Sequence, residues 1–438
     1  MSARTRELFA LIPSALLVSA GFAALFLSRE ALAGPTSRNE ISDLSLTYGG
    51  VFLGLCFVAH LLLRARLKHA DPYLFPLVAL LACFGLVMIY RIDDELARQQ
   101  AQWFVIGLLA FAAVIVVLGD YRRLERFRYT IALAGIFLLM LPRAFAPTNG
   151  AYLSVRVGSL SVQPAELTKI AIVIFLASYL RDTRQILVLG SRRIAGITLP
   201  PLKHFGPLLA IWGLAMLMLF VIQDIGSSLM FFGGFLALLY VATARLSFPL
   251  VGLALFAAGS YVLYQLRPTI ANRVAAWRDP FDPELFEQEI GGSYQQAQSL
   301  FAQADGGFFG RGFGQSVLDL PGGGQILPAP HTDFIYAVIT NELGLMGAIG
   351  LLVVNLFIVQ RGFKVAMLAR DGFSKLLAVG LTSVFALQVF VIVGGVTKLI
   401  PLTGVTLPFV SYGGSSIVAN FILLALLLMV SDRARREA

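Results

Sequence analysis

Asp333 stands in Pro328-Ala329-Pro330-His331-Thr332-Asp333-Phe334, a stretch that closes the longest polar segment of the chain, 267–331, and opens an apolar run to about Gln360. A carboxylate at that boundary suits general-base chemistry. Its ordinary pKa is about 3.9, and partial burial would raise it towards the range where a base is effective. The same position also suits a helix cap that accepts backbone N–H groups. A second group is Gln163-Pro164-Ala165-Glu166-Leu167-Thr168-Lys169. Glu166 and Lys169 share a helix face, where opposite charges neutralise each other or meet a neighbour. Arg156, Lys169 and Lys398 are cations that suit a phosphate or pyrophosphate. Asp224, in Gln223-Asp224-Ile225-Gly226, sits at a tight turn where it either caps a helix or faces a cavity. Trp103 reads as the entry of a helix at the membrane interface, available to lie along a sugar or lipid.

The elements that must position these residues are membrane helices. Of 438 residues, 58% are hydrophobic and 13% charged, against about 25% charged in soluble domains. A bilayer span needs about 20 mostly apolar residues. Twelve segments qualify, near 8–28, 46–63, 73–91, 101–118, 128–142, 163–180, 206–223, 227–244, 248–266, 332–360, 375–396 and 413–430. The fold class is therefore an all-α polytopic membrane protein. The net charge of +9 belongs to cytoplasmic loops rather than to nucleic-acid binding. With the N-terminus inside, Lys and Arg are about twice as frequent in the inner loops as in the outer ones, so both termini are expected in the cytoplasm and 267–331 outside. Arg4 and Arg6 before the first apolar run, with Ala31-Leu32-Ala33 after it, resemble a signal peptide, but the run is long enough to be retained as a helix. Cys56 and Cys83 lie in apolar runs and read as packing residues. The four histidines show no zinc spacing.

With that topology the polar residues gather at the outer end: Trp103, Arg156, Gln163, Glu166, Lys169, Asp224, His331, Asp333, Lys398 and Ser411. An outward cavity holding acids and bases follows. Soluble nucleotides lie on the other side, so the substrate must arrive activated and membrane-borne. The long loop also carries Gly306-Gly307-Phe308-Phe309-Gly310-Arg311-Gly312-Phe313-Gly314, which lacks the strand-to-helix setting of a phosphate loop and reads as re-entrant or interfacial. The apolar, Pro- and Gly-rich turn 397–416 is tolerated at membrane depth only if protein buries it or it lines a cavity.

These motifs, in this order, make the chain similar to the SEDS family (shape, elongation, division and sporulation; the RodA/FtsW type) over about residues 75–432. They are the Trp103 helix, Gln163-Pro164-Ala165-Glu166 with Lys169, Gln223-Asp224-Ile225-Gly226, the run Tyr294 to Gly314, His331-Thr332-Asp333-Phe334-Ile335 with Glu342-Leu343-Gly344, and Leu407-Pro408-Phe409-Val410-Ser411-Tyr412-Gly413-Gly414-Ser415-Ser416. Thr403-Gly404 is closer to the RodA-like branch. The resemblance implies a ten-helix bundle, 73–438, with residues 1–72 as a two-helix addition. It implies a peptidoglycan glycosyltransferase (a hexosyltransferase) that polymerises lipid II at the outer leaflet of the bacterial cytoplasmic membrane. A class B penicillin-binding protein and other elongation or division proteins are the implied partners. The family's essential acid matches Asp333. Arg156, Lys169, Lys398, Trp103, His331 and Ser411 are the expected substrate contacts, with Gln163, Glu166, Asp224 and Glu342 shaping the cavity. A divalent cation such as Mg²⁺ or Mn²⁺ is a further expectation at Asp333 or Asp224. The family's paired arginines and tryptophan before the Gln-Pro motif are replaced by Gly150-Ala151-Tyr152-Leu153-Ser154-Val155-Arg156, and its Glu-Glu by Asn341-Glu342. A lipid-linked precursor flippase is the rival reading, since charges inside a bundle also suit transport. Transport would spread polar groups through the full depth of the bundle. A non-catalytic scaffold is the third and would leave Asp333 dispensable.

Overall fold

The computed structural model describes residues 2–33, 38–145, 154–157, 160–189, 192–194, 197–199, 213, 224–288, 292–318 and 326–437. The chain begins with α1 (Ala3–Ala10), α2 (Ile12–Ala33) and α3 (Arg38–Arg66). Next come α4 (Leu74–Ile92), α5 (Asp94–Ala113), the single turn α6 (Arg123–Arg126) and α7 (Arg128–Met140). A hairpin of β1 (Val155–Val157) and β2 (Leu160–Val162) leads to α8 (Pro164–Leu189), and a second hairpin pairs β3 (Arg192–Ile194) with β4 (Ile197–Leu199). Then come α9 (Ile225–Thr243) and α10 (Ser247–Leu266). The long polar segment holds α11 (Pro268–Arg278), α12 (Pro283–Phe286) and α13 (Tyr294–Gly306). The chain finishes with α14 (Ile335–Leu368), α15 (Gly372–Val396) and α16 (Gly414–Arg436).

The helices start where the sequence supplies caps. Asp93 accepts from Glu95 N (2.8 Å) and Leu96 N (3.0 Å) to open α5, and Asp371 accepts from Ser374 N (2.9 Å) to open α15. Among the described residues, nine helices are long and apolar enough to cross a membrane. The chain is a multi-pass membrane protein built almost wholly of helices. The seventh expected segment, 206–223, falls outside the described residues apart from Gly213. The fifth is α7, whose 13 residues reach only about 20 Å. The sixth is α8, 26 residues long and charged at Glu166, Lys169, Arg181, Asp182 and Arg184.

The centre of the bundle is α15 and α16, with 78% and 89% of their apolar windows buried, whereas α10 at the flank has 11%. Phe421 of α16 takes Phe104 and Phe111 of α5 and Phe409 edge-on, at 5.4, 6.2 and 5.3 Å. Each such pair adds about 0.5–1.5 kcal/mol to the area it buries.

The end of the bundle that carries both termini is fastened by ions. Asp71 pairs with Arg435 and Arg361, and its amide donates to Ser431 Oγ (3.0 Å). His69 N donates to Asp432 Oδ1 (2.7 Å). Arg4 pairs with Glu7 and donates to Ala70 O, and His60 Nδ1 lies 2.7 Å from Glu7 Oε1. Arg4, Glu7 and His60 are all buried. This cluster docks the N-terminal helices on the bundle.

The opposite end carries the polar segment, which is folded against the bundle. Gln296 Nε2, Ser299 Oγ and Gln303 Nε2 donate to the carbonyls that end α15, Gly395 and Val396, at 3.0–3.4 Å. Trp277 Nε1 donates to Lys398 O (3.1 Å). The bonds to Val396 O satisfy a carbonyl at the end of α15, while Gly395 O also accepts from Lys398 N (3.3 Å).

Candidate active site

His331-Thr332-Asp333 forms a tight turn in front of α14. Ala329, at φ +51°, starts it, and Thr332 N donates to Ala329 O (3.2 Å). Phe334 is the residue that precedes the helix, and no side chain caps it. Asp333 therefore does not cap α14, and its carboxylate is left for another role. The turn is clamped to the loop 403–413. Tyr412 N donates to His331 O (2.8 Å), and Ser411 Oγ donates to Thr332 O (2.8 Å) while accepting from Leu407 N (2.9 Å). The ring of Tyr412 stands edge-on to His331 at 5.7 Å. Gly404, at φ +70°, faces the carboxylate, and a Cβ there would lie 3.6 Å from Asp333 Oδ2. From the other side α5 holds the loop, with Gln100 Nε2 donating to Ser411 O (3.1 Å) and Gly413 N donating to Gln100 Oε1 (3.3 Å).

Burial pushes the Asp333 carboxyl up to about 6, with the charge of Arg273 opposing the rise. Arg273 and Trp277 are four residues apart on α11, hence on one face. Trp277 holds the turn at Lys398, so Arg273 is carried towards the same corner. Burial also raises Asp224, and the charge of Arg273 again acts in the opposite sense. Asp224 caps α9, accepting from Ser227 N (2.9 Å). His331 is pushed below its usual value by burial.

Behind the loop lies a closed polar network. Lys169 Nζ, 1% exposed as a residue, donates to Glu166 Oε2 (2.6 Å), Gln388 Oε1 (2.7 Å) and Asn420 Oδ1 (3.2 Å). Gln388 Nε2 in turn donates to Thr406 O (3.0 Å) and Ser416 Oγ (3.3 Å). Three ammonium protons meet three acceptors, so the charge is satisfied where a bare one would be prohibitive. The network joins α8, α15 and α16 and holds the loop two residues from Gly404.

The glycine-rich run explains a break in α14. Gly344 (φ +67°, ψ −169°) interrupts the helix. The polar groups freed there are taken up by the run: Arg311 N donates to Asn341 O (2.9 Å), Gly312 N to Glu342 O (3.0 Å), Leu345 N to Gly307 O (3.0 Å) and Met346 N to Phe308 O (3.2 Å). Glu342, fully buried, accepts from Gly314 N (2.9 Å) and Ser316 Oγ (2.5 Å), and Arg91 Nε lies 2.6 Å from its Oε1. The run is thus the complement of a broken helix rather than a ligand cradle.

The structure corrects three expectations drawn from the sequence. Lys169 was expected to touch substrate, but its ammonium is spent inside the bundle. Ser411 was expected to do the same, but its one hydroxyl proton is used on Thr332 O. Trp103 does not open a helix, because Asp93 caps α5 ten residues earlier. Its ring is buried against Gly414, where a Cβ would lie 2.0 Å from Trp103 Cε2. Gln163 sits at the mouth of α8, its backbone N–H donating to Ser415 Oγ (2.7 Å). Arg156 pairs with Ser161 across the β1–β2 hairpin, and its side chain lies outside the described residues. Lys398 is half-buried at φ +62° on the turn before Gly404. Arg91, Gln100, Arg273, Gln388 and Asn420 escaped the sequence reading. Gln388 and Asn420 carried a signal, as lone polar residues in apolar helices. Arg273 carried none, one basic residue among several in a polar loop.

The fold and site together define an integral-membrane protein with a carboxylate held at one end of its bundle, beneath a long docked loop. The model of the cell cycle protein family of FtsW, RodA and SpoVE matches residues 72–436, and the chain belongs to this family. The peptidoglycan glycosyltransferase RodA of Mycobacterium bovis is 43% identical over 405 residues, covering 89% of this chain and 84% of its own. Stage V sporulation protein E of Bacillus subtilis is 32% identical, covering 83% of this chain and 98% of its own. A chain from a peptidoglycan synthase complex, solved for its coordination of polymerization and crosslinking, is similar in structure with a TM-score of 0.66 and 26% identity, covering 84% of this chain and 99% of that one.

Proposed function

We propose that this protein is a peptidoglycan glycosyltransferase that polymerises lipid II at the outer leaflet of the bacterial cytoplasmic membrane, with both termini in the cytoplasm. The observation that carries the reading is Asp333, which caps no helix, is half-buried and pushed up to about 6, and faces Gly404 in the clamped loop. In the reaction, a sugar hydroxyl oxygen bonds to the anomeric carbon of the other substrate. The bond from that carbon to the pyrophosphate oxygen breaks, and its electron pair leaves on the lipid pyrophosphate. The hydroxyl proton passes to Asp333, which is ionised at neutral pH yet a stronger base than an exposed aspartate. Arg273 and Lys398 supply the positive charge that the leaving group needs. Among the described residues no three His, Cys, Asp or Glu side chains converge. A divalent cation at this site would take Asp333 as its carboxylate ligand, with pyrophosphate oxygens and water completing the shell.

A class B penicillin-binding protein is the proposed partner, docking on helices of the bundle or on the loop 267–331 and crosslinking the strands. Residues 1–72 act as an addition to the catalytic bundle 73–438. The test is reconstitution in liposomes carrying lipid II. Growing glycan strands and released undecaprenyl pyrophosphate are expected. Movement of intact lipid II between leaflets, without strands, would make the protein a transporter instead.

A further inference from the structure

Among the described residues none hydrogen-bonds the Asp333 carboxylate. Its place is therefore set by the backbone of the turn 331–333. Among the described residues, two hydrogen bonds reach that turn from another element, and both come from the loop 403–413. Tyr412 N donates to His331 O (2.8 Å), and Ser411 Oγ donates to Thr332 O (2.8 Å).

At these same residues the loop is itself held by α5. Gln100, only 3% exposed, donates from Nε2 to Ser411 O (3.1 Å) and accepts at Oε1 from Gly413 N (3.3 Å). Gln99 beside it accepts from the Tyr412 hydroxyl (2.6 Å). The two ends of the Gln100 amide bracket Tyr412 with main-chain bonds, as a neighbouring strand would. A buried amide costs free energy unless both its ends are bonded. An irregular loop at membrane depth needs partners for its own N–H and C=O groups. Each meets the need of the other, and no charge is brought near the base.

We propose that Gln100 is a positioning residue for Asp333: through Ser411 and Tyr412 it fixes the turn that carries the base, without touching substrate. The inference rests on Asp333 acting as the base. The charged and titratable groups around Asp333 are His331 on its own turn, Arg273 of α11, Lys398 on the turn before Gly404, Asp224 at the start of α9 and Asp93 at the start of α5, with Glu166 and Lys169 behind the loop. Replacing Gln100 by a neutral side chain alters none of them. A change in the titration of Asp333 then reports how well the carboxylate is placed and shielded, and not a lost charge.

The test compares wild type, Gln100→Met and Ser411→Ala, each also with Asp333→Asn added. Gln100→Met keeps the length of the side chain and removes both of its bonds. Ser411→Ala breaks the next link, to Thr332 O, and serves alone if Gln100→Met does not fold. Glycan-strand synthesis from purified lipid II is followed against pH, and melting curves are taken of all six proteins. Turnover per folded molecule should fall about tenfold or more in Gln100→Met and Ser411→Ala, with KM nearly unchanged. The acid-side midpoint should move from near 6 towards about 4, because a loosened turn lets water reach the carboxylate. Melting reads the same placement without any reaction: the rise in melting temperature that Asp333→Asn gives at pH 7.5 should be smaller in both substituted backgrounds than in wild type. A lower melting temperature with turnover per folded molecule, midpoint and that rise all unchanged would make Gln100 a packing residue and overturn the proposal. Wild type that makes no strands would overturn the reading of function. The melting comparison would then decide whether Gln100 places the Asp333 carboxylate, an equal rise in all three backgrounds counting against it.

Discussion

Asp333 is held where burial favours its protonated form, which links catalysis to stability. Its folded value of about 6 lies above the unfolded value of about 3.9. The stability this confers is complete below about pH 4 and is lost as pH rises through about 6. At neutral pH the ionised carboxylate is therefore a burden on the fold. Asp333→Asn should melt higher than wild type at pH 7.5, by the equivalent of about 1–3 kcal/mol, and the gap should close near pH 4. Turnover should fall on the acid side with a midpoint near 6. Arg273 opposes the rise, so Arg273→Gln should move that midpoint to higher pH while slowing turnover; a midpoint unmoved in a pH–rate profile would remove Arg273 from the site. Lys169 belongs to the fold. Lys169→Met leaves Glu166 buried without its partner and should cost about 3–5 kcal/mol, with part regained in the double variant with Glu166→Gln. Normal melting with lost turnover would return Lys169 to the substrate. Asp333 was legible in the sequence because an acid at the start of an apolar helix is conspicuous. That it does not cap could be learned only from the turn at Ala329, which places Phe334 at the helix start.

The unit at the element scale is α14 with the run 306–314. Hydropathy marks α14 as one long helix and cannot see its break, because a broken helix and a continuous one have the same composition. Gly344 and the glycine run were each visible, but not that they answer one another across more than thirty residues. Gly310 is one of the two tightest points of the joint, with Gly306, whose Cβ would lie 2.0 Å from Thr340 O. The φ of Gly310 is +83°, and a Cβ there would lie 2.1 Å from Glu342 O. Gly310→Ala should destabilise by more than about 2 kcal/mol and speed amide exchange at Gly312, Leu345 and Met346. Gly307 (φ +55°, ψ −142°) shares the backbone strain but has open space, so Gly307→Ala should cost that strain alone, about 1–3 kcal/mol, and less than Gly310→Ala. Equal effects of the two would mean that backbone strain alone, and not the docking, matters here. The Trp103 helix shows the limit of reading boundaries from hydropathy. The polar first turns of α5, from Asp94, do not register as membrane helix although Asp93 caps them.

The whole molecule has two differently built ends. The end with the termini is closed by ion pairs around Asp71 and Asp432, and the other is closed by a folded loop around Asp333. Most of the spans and the gathering of polar residues at one end were legible, since a bilayer admits few alternatives to long apolar helices. The interior of the network was not, because partners 219 and 251 residues from Lys169 meet only in the fold. Asp71→Ala strips Arg435 and Arg361 of their shared carboxylate and should lower the melting temperature without changing turnover per folded molecule. A specific loss of turnover would show that the two ends are coupled. The most direct measurement is polymerisation of purified lipid II by the detergent-solubilised protein, wild type beside Asp333→Asn, with melting curves of both. Glycan strands from wild type and none from an equally or more stable Asp333→Asn are expected. Strands from both at similar rates would contradict the role of Asp333 as the base.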